Sequence, residues 1–156
     1  MNLFVPSMTS NIQDGFEVIS SSERSQDIKD AKFQAFNDNP VCGCGWCSDD
    51  PPPHFIGIKL PSPKVANCVT FTSPRYLPYS PKEFQMEGSN DGKTFMTLSI
   101  QSTSFDGNIQ KRSFRFNNTQ PFNCYRIFVT KNHCDYDGYL HMNVVACKHV
   151  NFGFSE

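Results

Sequence analysis

The sequence has no excess of charge of either sign: 14 lysines and arginines stand against 15 aspartates and glutamates, a formal net charge of −1. Without a surplus positive field there is little to displace counterions from a phosphate backbone, so neither nucleic-acid binding nor a polybasic membrane anchor is expected. No apolar run approaches the ~18 residues of a spanning helix, and membrane insertion is not expected either. The start, Met1 to Met8, lacks the basic flank and apolar stretch of a signal peptide. There is no internal repeat and no low-complexity tract. The 11 prolines and 9 glycines are scattered and leave little room for long helices. No separated Ser/His/Asp set or carboxylate pair is present, so no catalytic residue is expected and the chain reads as a non-enzyme.

What the chain does have is aromatic bulk: 15 Phe, 5 Tyr and one Trp in 156 residues, enough to fill one core. From His54 onward it is a series of short segments rich in β-branched and aromatic residues, bounded by Pro, Gly, Asn or Ser. Ile56, Ile58 and Leu60 alternate with less apolar neighbours. So do Phe84 and Met86, then Met96, Leu98 and Ile100, then Phe114 and Phe116, then Tyr125, Ile127 and Val129, and last Leu140, Met142 and Val144. Lys64–Thr72 and Phe16–Ser22 complete about eight strands, the pattern of an all-β antiparallel sandwich. Between the first strand and His54, residues 26–36 predict a short helical turn with Ile28, Ala31, Ala35 and Phe36 inward. Asn37–Pro53 is a long loop. No linker divides the chain, so one domain is expected over 1–156, with its core at about 5–147 and a C-terminal tail at 148–156.

The stretch Pro81-Lys82-Glu83-Phe84-Gln85-Met86-Glu87-Gly88-Ser89-Asn90-Asp91-Gly92, with Phe95, Leu98 and the later Cys124-Tyr125-Arg126-Ile127-Phe128-Val129, resembles the discoidin, or coagulation factor V/VIII type C, domain. Asn90-Asp91-Gly92 suits a tight turn, since all three residue types accept positive φ. The lead Val5-Pro6-Ser7-Met8, the Ala35-Phe36 pair, Trp46 and Pro53-His54-Phe55-Ile56 fit the same pattern. The resemblance implies a galactose-binding-like jelly-roll sandwich whose end loops bind sugars, lipid head groups or proteins. It also implies a calcium ion in the loop after Ala35-Phe36, with Asn37, Asp38 and Ser48 as the candidate ligands. The departure is that the final strand, Leu140–Cys147, has no acidic residue to complete that shell.

Cys42-Gly43-Cys44-Gly45-Trp46-Cys47, with His54 near, has thiols enough for zinc, but its C-x-C-x-x-C spacing is not that of paired knuckles, and a loop packed around Trp46 is the plainer reading. Cys68 and Cys124 fall in predicted strands and read as core. The Asn117-Asn118-Thr119 sequon reads as a polar turn. Loop 73–81 is stiffened by prolines and offers Arg75, Tyr76 and Tyr79, a fork of donors and two flat faces. Loop 132–138 offers His133 and Tyr136. Together with Trp46 these are the candidate partner-binding residues. The seven cysteines, an odd number, and the absent leader give the expectation of an intracellular setting, cytoplasmic or cytoskeletal and ciliary, or of a virus particle. The expected function is a module that docks a protein partner within an assembly, with carbohydrate binding, calcium-assisted or not, as the alternative.

Overall fold

The computed structural model describes residues 1–40, 45–49, 52–107, 109–134 and 144–156. The expected alternation appears there as twelve strands: β1 (Asn2–Leu3), β2 (Ile12–Gln13), β3 (Phe16–Ser20), β4 (Trp46–Cys47), β5 (His54–Lys64), β6 (Cys68–Thr72), β7 (Pro81–Ser89), β8 (Met96–Ser102), β9 (Lys111–Arg115), β10 (Phe122–Asn132), β11 (Ala146–Cys147) and β12 (His149–Phe154). Helical structure among the described residues is confined to 3-10 turns at Ile28–Asp30, Lys32–Phe36 and Leu77–Tyr79. All pairings are antiparallel. One sheet runs β2-β3-β5-β10-β7-β8, a second runs β1-β12-β6-β9, and β11 and β4 form a small third. This is the all-β sandwich that the residue pattern predicts.

The two larger sheets face each other through the alternating residues. Val18, Ile56, Ile58, Phe84, Met86, Tyr125 and Ile127 come from the first, and Val69, Phe71, Val150 and Phe152 from the second, all without solvent exposure. Phe84 meets Phe71 edge-on, with ring centroids 5.2 Å apart, and Phe114 stacks on Phe71 at 5.4 Å. Each such side chain contributes about 1.5–3 kcal/mol by leaving water. Cys68 and Cys124 are buried with them, as expected. Burial raises the Cys68 thiol pKa and pushes Cys124 up to about 11, which leaves both as unreactive packing groups.

At Val65–Asn67 the chain leaves the six-stranded sheet for the four-stranded one. The buried Tyr125 hydroxyl serves this corner. It donates to the Lys64 carbonyl at 2.5 Å and accepts the Ala66 N–H at 3.0 Å. Lys64–Thr72 is therefore two strands rather than one. Pro61-Ser62-Pro63 continues β5 as a bulge: Lys59 faces Cys124 while Lys64 faces Phe122, so β5 has extra residues over that span.

Other expectations are corrected by register and edges. Residues 148–156 are not a tail, because β12 lies between β1 and β6 with Val150, Asn151, Phe152 and Gly153 buried. Gly153 is required there, since a Cβ would run into the Asn2 carbonyl. Met96, Leu98 and Ile100 do not share one inward face. Ser99 pairs with Met86 and Thr97 with Glu87, so Leu98 is the extra residue of a bulge, and the parity flip turns Ile100 outward at 75% exposure. Ile28 is 66% exposed, because the turn it opens is a 3-10 piece too short to present a helical stripe. Of the expected strand Leu140–Cys147, residues 140–143 lie outside the described residues, and Ala146–Cys147 pairs with β4.

The Ser89–Gly92 turn forms as expected, with Gly92 at φ 72°. The Asp91 carboxylate accepts the Thr94 N–H at 2.7 Å, the Lys93 N–H at 2.8 Å and the Ser89 hydroxyl at 2.9 Å. These bonds to its charged form lower its pKa to about 2.

Two outcomes follow. Tyr125→Phe leaves the buried Ala66 N–H without its partner and should cost about 1–3 kcal/mol in urea unfolding, with the far-ultraviolet circular dichroism unchanged. Asp91 has a depressed folded-state pKa, so its contribution is complete above the unfolded value near 4 and is lost as pH falls through about 2. The melting temperature of the wild type minus that of Asp91→Asn should therefore be larger at pH 5 than at pH 2, and an equal difference at both would contradict it.

Candidate binding site at the loop end

Antiparallel pairing puts the loops after β3, β6, β8 and β10 at one end of the sandwich, because Ser20 faces Ile56, Thr72 faces Lys111, Ser102 faces Glu83 and Asn132 faces Pro81. Of the candidate residues, Asn37 and Asp38 follow β3, Arg75, Tyr76 and Tyr79 follow β6, His133 follows β10, Trp46 lies on β4 and Ser48 directly after it, and the structure separates those that pack from those that present themselves.

Trp46 packs. It is fully buried, its indole N–H donates to the Ser22 carbonyl at 2.8 Å, and it faces Cys147 across β4 and β11. It therefore presents no surface to a partner. His133 also works inside the fold. The Phe105 N–H donates to its Nε2 at 3.1 Å, so Nε2 is the acceptor and Nδ1 carries the proton, which it donates to the Ser80 carbonyl at 3.0 Å. Its own backbone N–H reaches the same carbonyl at 3.0 Å. One imidazole thus ties together the loops after β6, β8 and β10, and is not offered to a ligand. Tyr136 lies outside the described residues.

Arg75, Tyr76 and Tyr79 do come together on the loop after β6. Ser73 anchors its start, with the Gln110 N–H donating to Ser73 Oγ at 2.8 Å and the Ser73 N–H to the Gln110 carbonyl at 2.9 Å. The 3-10 turn Leu77–Tyr79, with Pro78 fixing φ, closes the other end through Ser80 N–H to Leu77 O at 2.9 Å. Between these anchors Tyr76 and Tyr79 meet edge to face at 4.8 Å, Tyr76 is 45% exposed, and Arg75 is exposed. The arrangement offers two tyrosine rings set edge to face, next in the chain to an exposed arginine, on a loop whose backbone is already fixed.

The candidate calcium ligands are each engaged with other groups. Ser48 is buried, its Oγ 2.8 Å from His54 Nδ1 while accepting the Val145 N–H at 2.9 Å. Asn37 Oδ1 accepts the Asn39 N–H at 2.9 Å in a local turn. The Asp38 carboxylate is 3.3 Å from His149 Nε2 and shares a cleft of about 240 Å³ with Lys111 and Lys148, a setting that repels a cation. For the zinc reading, Cys42 and Cys44 lie outside the described residues, and among the described residues no group of three or more His, Cys, Asp or Glu is placed to hold a metal.

Sequence reasoning missed Lys111, Lys148 and His149, which come from strands distant in the chain and carry no local motif. A larger cavity, about 540 Å³, opens at the opposite end by Asn67 and Asn118, but those amides are committed to the backbone of Ser155, Ala66 and Gln120.

The F5/8 type C domain model matches residues 17–136. No curated protein sequence matches the chain. Among solved structures it is similar to the family 32 carbohydrate-binding module of Clostridium perfringens NanJ in complex with galactose, at 12% identity and TM-score 0.69 over 97% of each chain. It is similar also to a Clostridium perfringens module in complex with GalNAc-β-1,3-galactose, at 14% identity and TM-score 0.67 over 88% of this chain and 94% of the other. An F5/8 type C domain from Bacteroides fragilis gives 12% identity and TM-score 0.69 over 97% and 95%. At such identities the likeness establishes the fold.

His133→Ala should leave the Phe105 N–H unpaired and the Ser80 carbonyl with the residue 133 backbone N–H alone, with a cost of about 1–3 kcal/mol in unfolding. Hydrogen exchange at Phe105 should accelerate while that of Ile127 stays at the global rate.

Proposed function

The chain belongs to the F5/8 type C domain family, and from that premise we propose that it is a non-catalytic module that binds carbohydrate with the loop end of its sandwich. The observation that carries this reading is the anchored loop after β6, where the Tyr76 and Tyr79 rings pack edge to face and the neighbouring Arg75 is exposed. The faces of pyranose rings are lined with C–H groups that pack on aromatic rings, and their hydroxyls suit a guanidinium fork. A rigid loop lowers the ordering cost of binding a flexible, weakly held ligand. Solved modules of the same fold are complexes with galactose and GalNAc-β-1,3-galactose, which supports carbohydrate ahead of the protein docking expected from the sequence.

Protein docking is favoured by one observation. Ile100, Gln85, Phe128 and Phe55 stand opposite one another in a single row on the outer face of the six-stranded sheet. Phe55 stacks on Phe128 at 6.4 Å, and Arg126, bonded to Glu87 at 2.7 Å, lies 3.6 Å from the Phe95 ring centroid. The two readings use different surfaces and separate experimentally.

In titration calorimetry with galactose- and GalNAc-terminated oligosaccharides, the double variant Tyr76→Ala, Tyr79→Ala should bind at least tenfold more weakly than the wild type, with the unfolding midpoint little changed. Ile100→Glu should leave that binding intact. Equal binding by the double variant and the wild type would overturn the carbohydrate reading.

A further inference from the structure

A second feature of the same end bears on which carbohydrates are taken. Lys111 on β9, Thr72 on β6 and His149 on β12 stand opposite one another, so their side chains project from one face of the four-stranded sheet. This is its outer face, since Phe71, next to Thr72, points into the core. The bend between β11 and β12 brings in Lys148, whose N–H donates to the Thr72 carbonyl at 3.0 Å. Asp38 and Pro40 close the far side of the 240 Å³ cleft.

The charge in this cleft is not balanced from within. Among the described residues neither Lys111 nor Lys148 has an acidic or carbonyl partner for its ammonium. The one carboxylate present, Asp38, is turned to His149. Burial first, and the two lysines after it, press His149 toward its neutral form against the pull of Asp38. The field at the cleft is positive in a chain whose net charge is −1. Two unmatched ammonium groups beside a hydroxyl and an imidazole make a receptor for a small anion.

We propose that this cleft binds the acid group of an anionic saccharide, either a uronate carboxylate or a sulfate ester. This rests on the carbohydrate reading above and narrows it to acidic glycans. Thr72 is the last residue of β6 and directly precedes the loop that carries Tyr76 and Tyr79, so both features lie at one end of the sandwich.

The test is calorimetric titration of the intact chain with three oligosaccharides of equal length at low ionic strength: an oligogalacturonate, a galactose 6-sulfate oligomer and a neutral galactose oligomer. At least one acidic oligomer should bind tenfold or more tightly than the neutral one, and which of the two does so identifies the acid group. Added salt should erase the preference, because partly exposed charges are screened. Lys111→Gln with Lys148→Gln should bring acidic binding down to the neutral level and leave neutral binding as it was, and Asp38→Asn should strengthen acidic binding. Equal affinity for all three, or equal loss for all three in the lysine variant, would overturn the acidic preference while leaving the carbohydrate reading in place. Absence of binding by any of them would overturn both.

Discussion

The sandwich depends on one corner. Where the chain passes from β5 to β6 it turns from one sheet into the other, and there the buried Ala66 N–H and the part-buried Lys64 carbonyl both find their partner in one side chain. A buried N–H left alone costs as much as a core methyl group or more, and the Tyr125 hydroxyl removes that cost at Ala66 while also holding the Lys64 carbonyl. The same residue packs Phe122 edge-on and Phe152 nearly in plane, at 5.9 and 6.0 Å, and sits on the strand that joins β5 to β7. Corner, core and central strand therefore share one side chain.

Much of this was legible in the residues. Ile56 and Ile58, Phe84 and Met86, Tyr125 and Ile127 declared their strands by alternation, because a residue with one wet and one dry face must alternate. Asn90-Asp91-Gly92 declared its turn by chemistry. What was not legible depended on register. The bulge at Leu98 reverses the side chains beyond it without altering the apolar pattern. His149–Phe154 gives a weak signal because Asn151 and Gly153 interrupt it, and both are there for contacts with the N-terminal segment: Asn151 bonds the backbone of Val5, and Gly153 makes room for Asn2. The candidate site divided in the same way. Arg75, Tyr76 and Tyr79 could be found because they are neighbours in a stiff loop. Trp46 was misjudged because a single tryptophan in a loop looks the same whether it faces in or out. Lys111 and His149 had no sequence signal at all, since only the pairing of β9 and β12 with β6 brings them together.

The loop end works by division of labour. His133, Ser73, Ser80 and Gln110 hold one another's backbones and expose little, while Arg75 and Tyr76 are held outward by that arrangement. The groups that hold the loops to one another are thus distinct from the side chains turned outward. Recognition surfaces can then change at the exposed positions without disturbing the lattice beneath, which is how one scaffold can serve many ligands.

The place of β12 bears on how the molecule assembles during synthesis. In a nascent chain β1 is made long before β12, with which alone it pairs among the described residues, and β6 lacks one of its two neighbours until residues 149–154 clear the ribosome. The six-stranded sheet can close earlier, as its strands are complete at Asn132. For the interval between, Val69 and Phe71 lie beside an unfilled strand position and the positive row has only Lys111. The second sheet is therefore completed later than the first, once residues 149–154 are free to insert between β1 and β6.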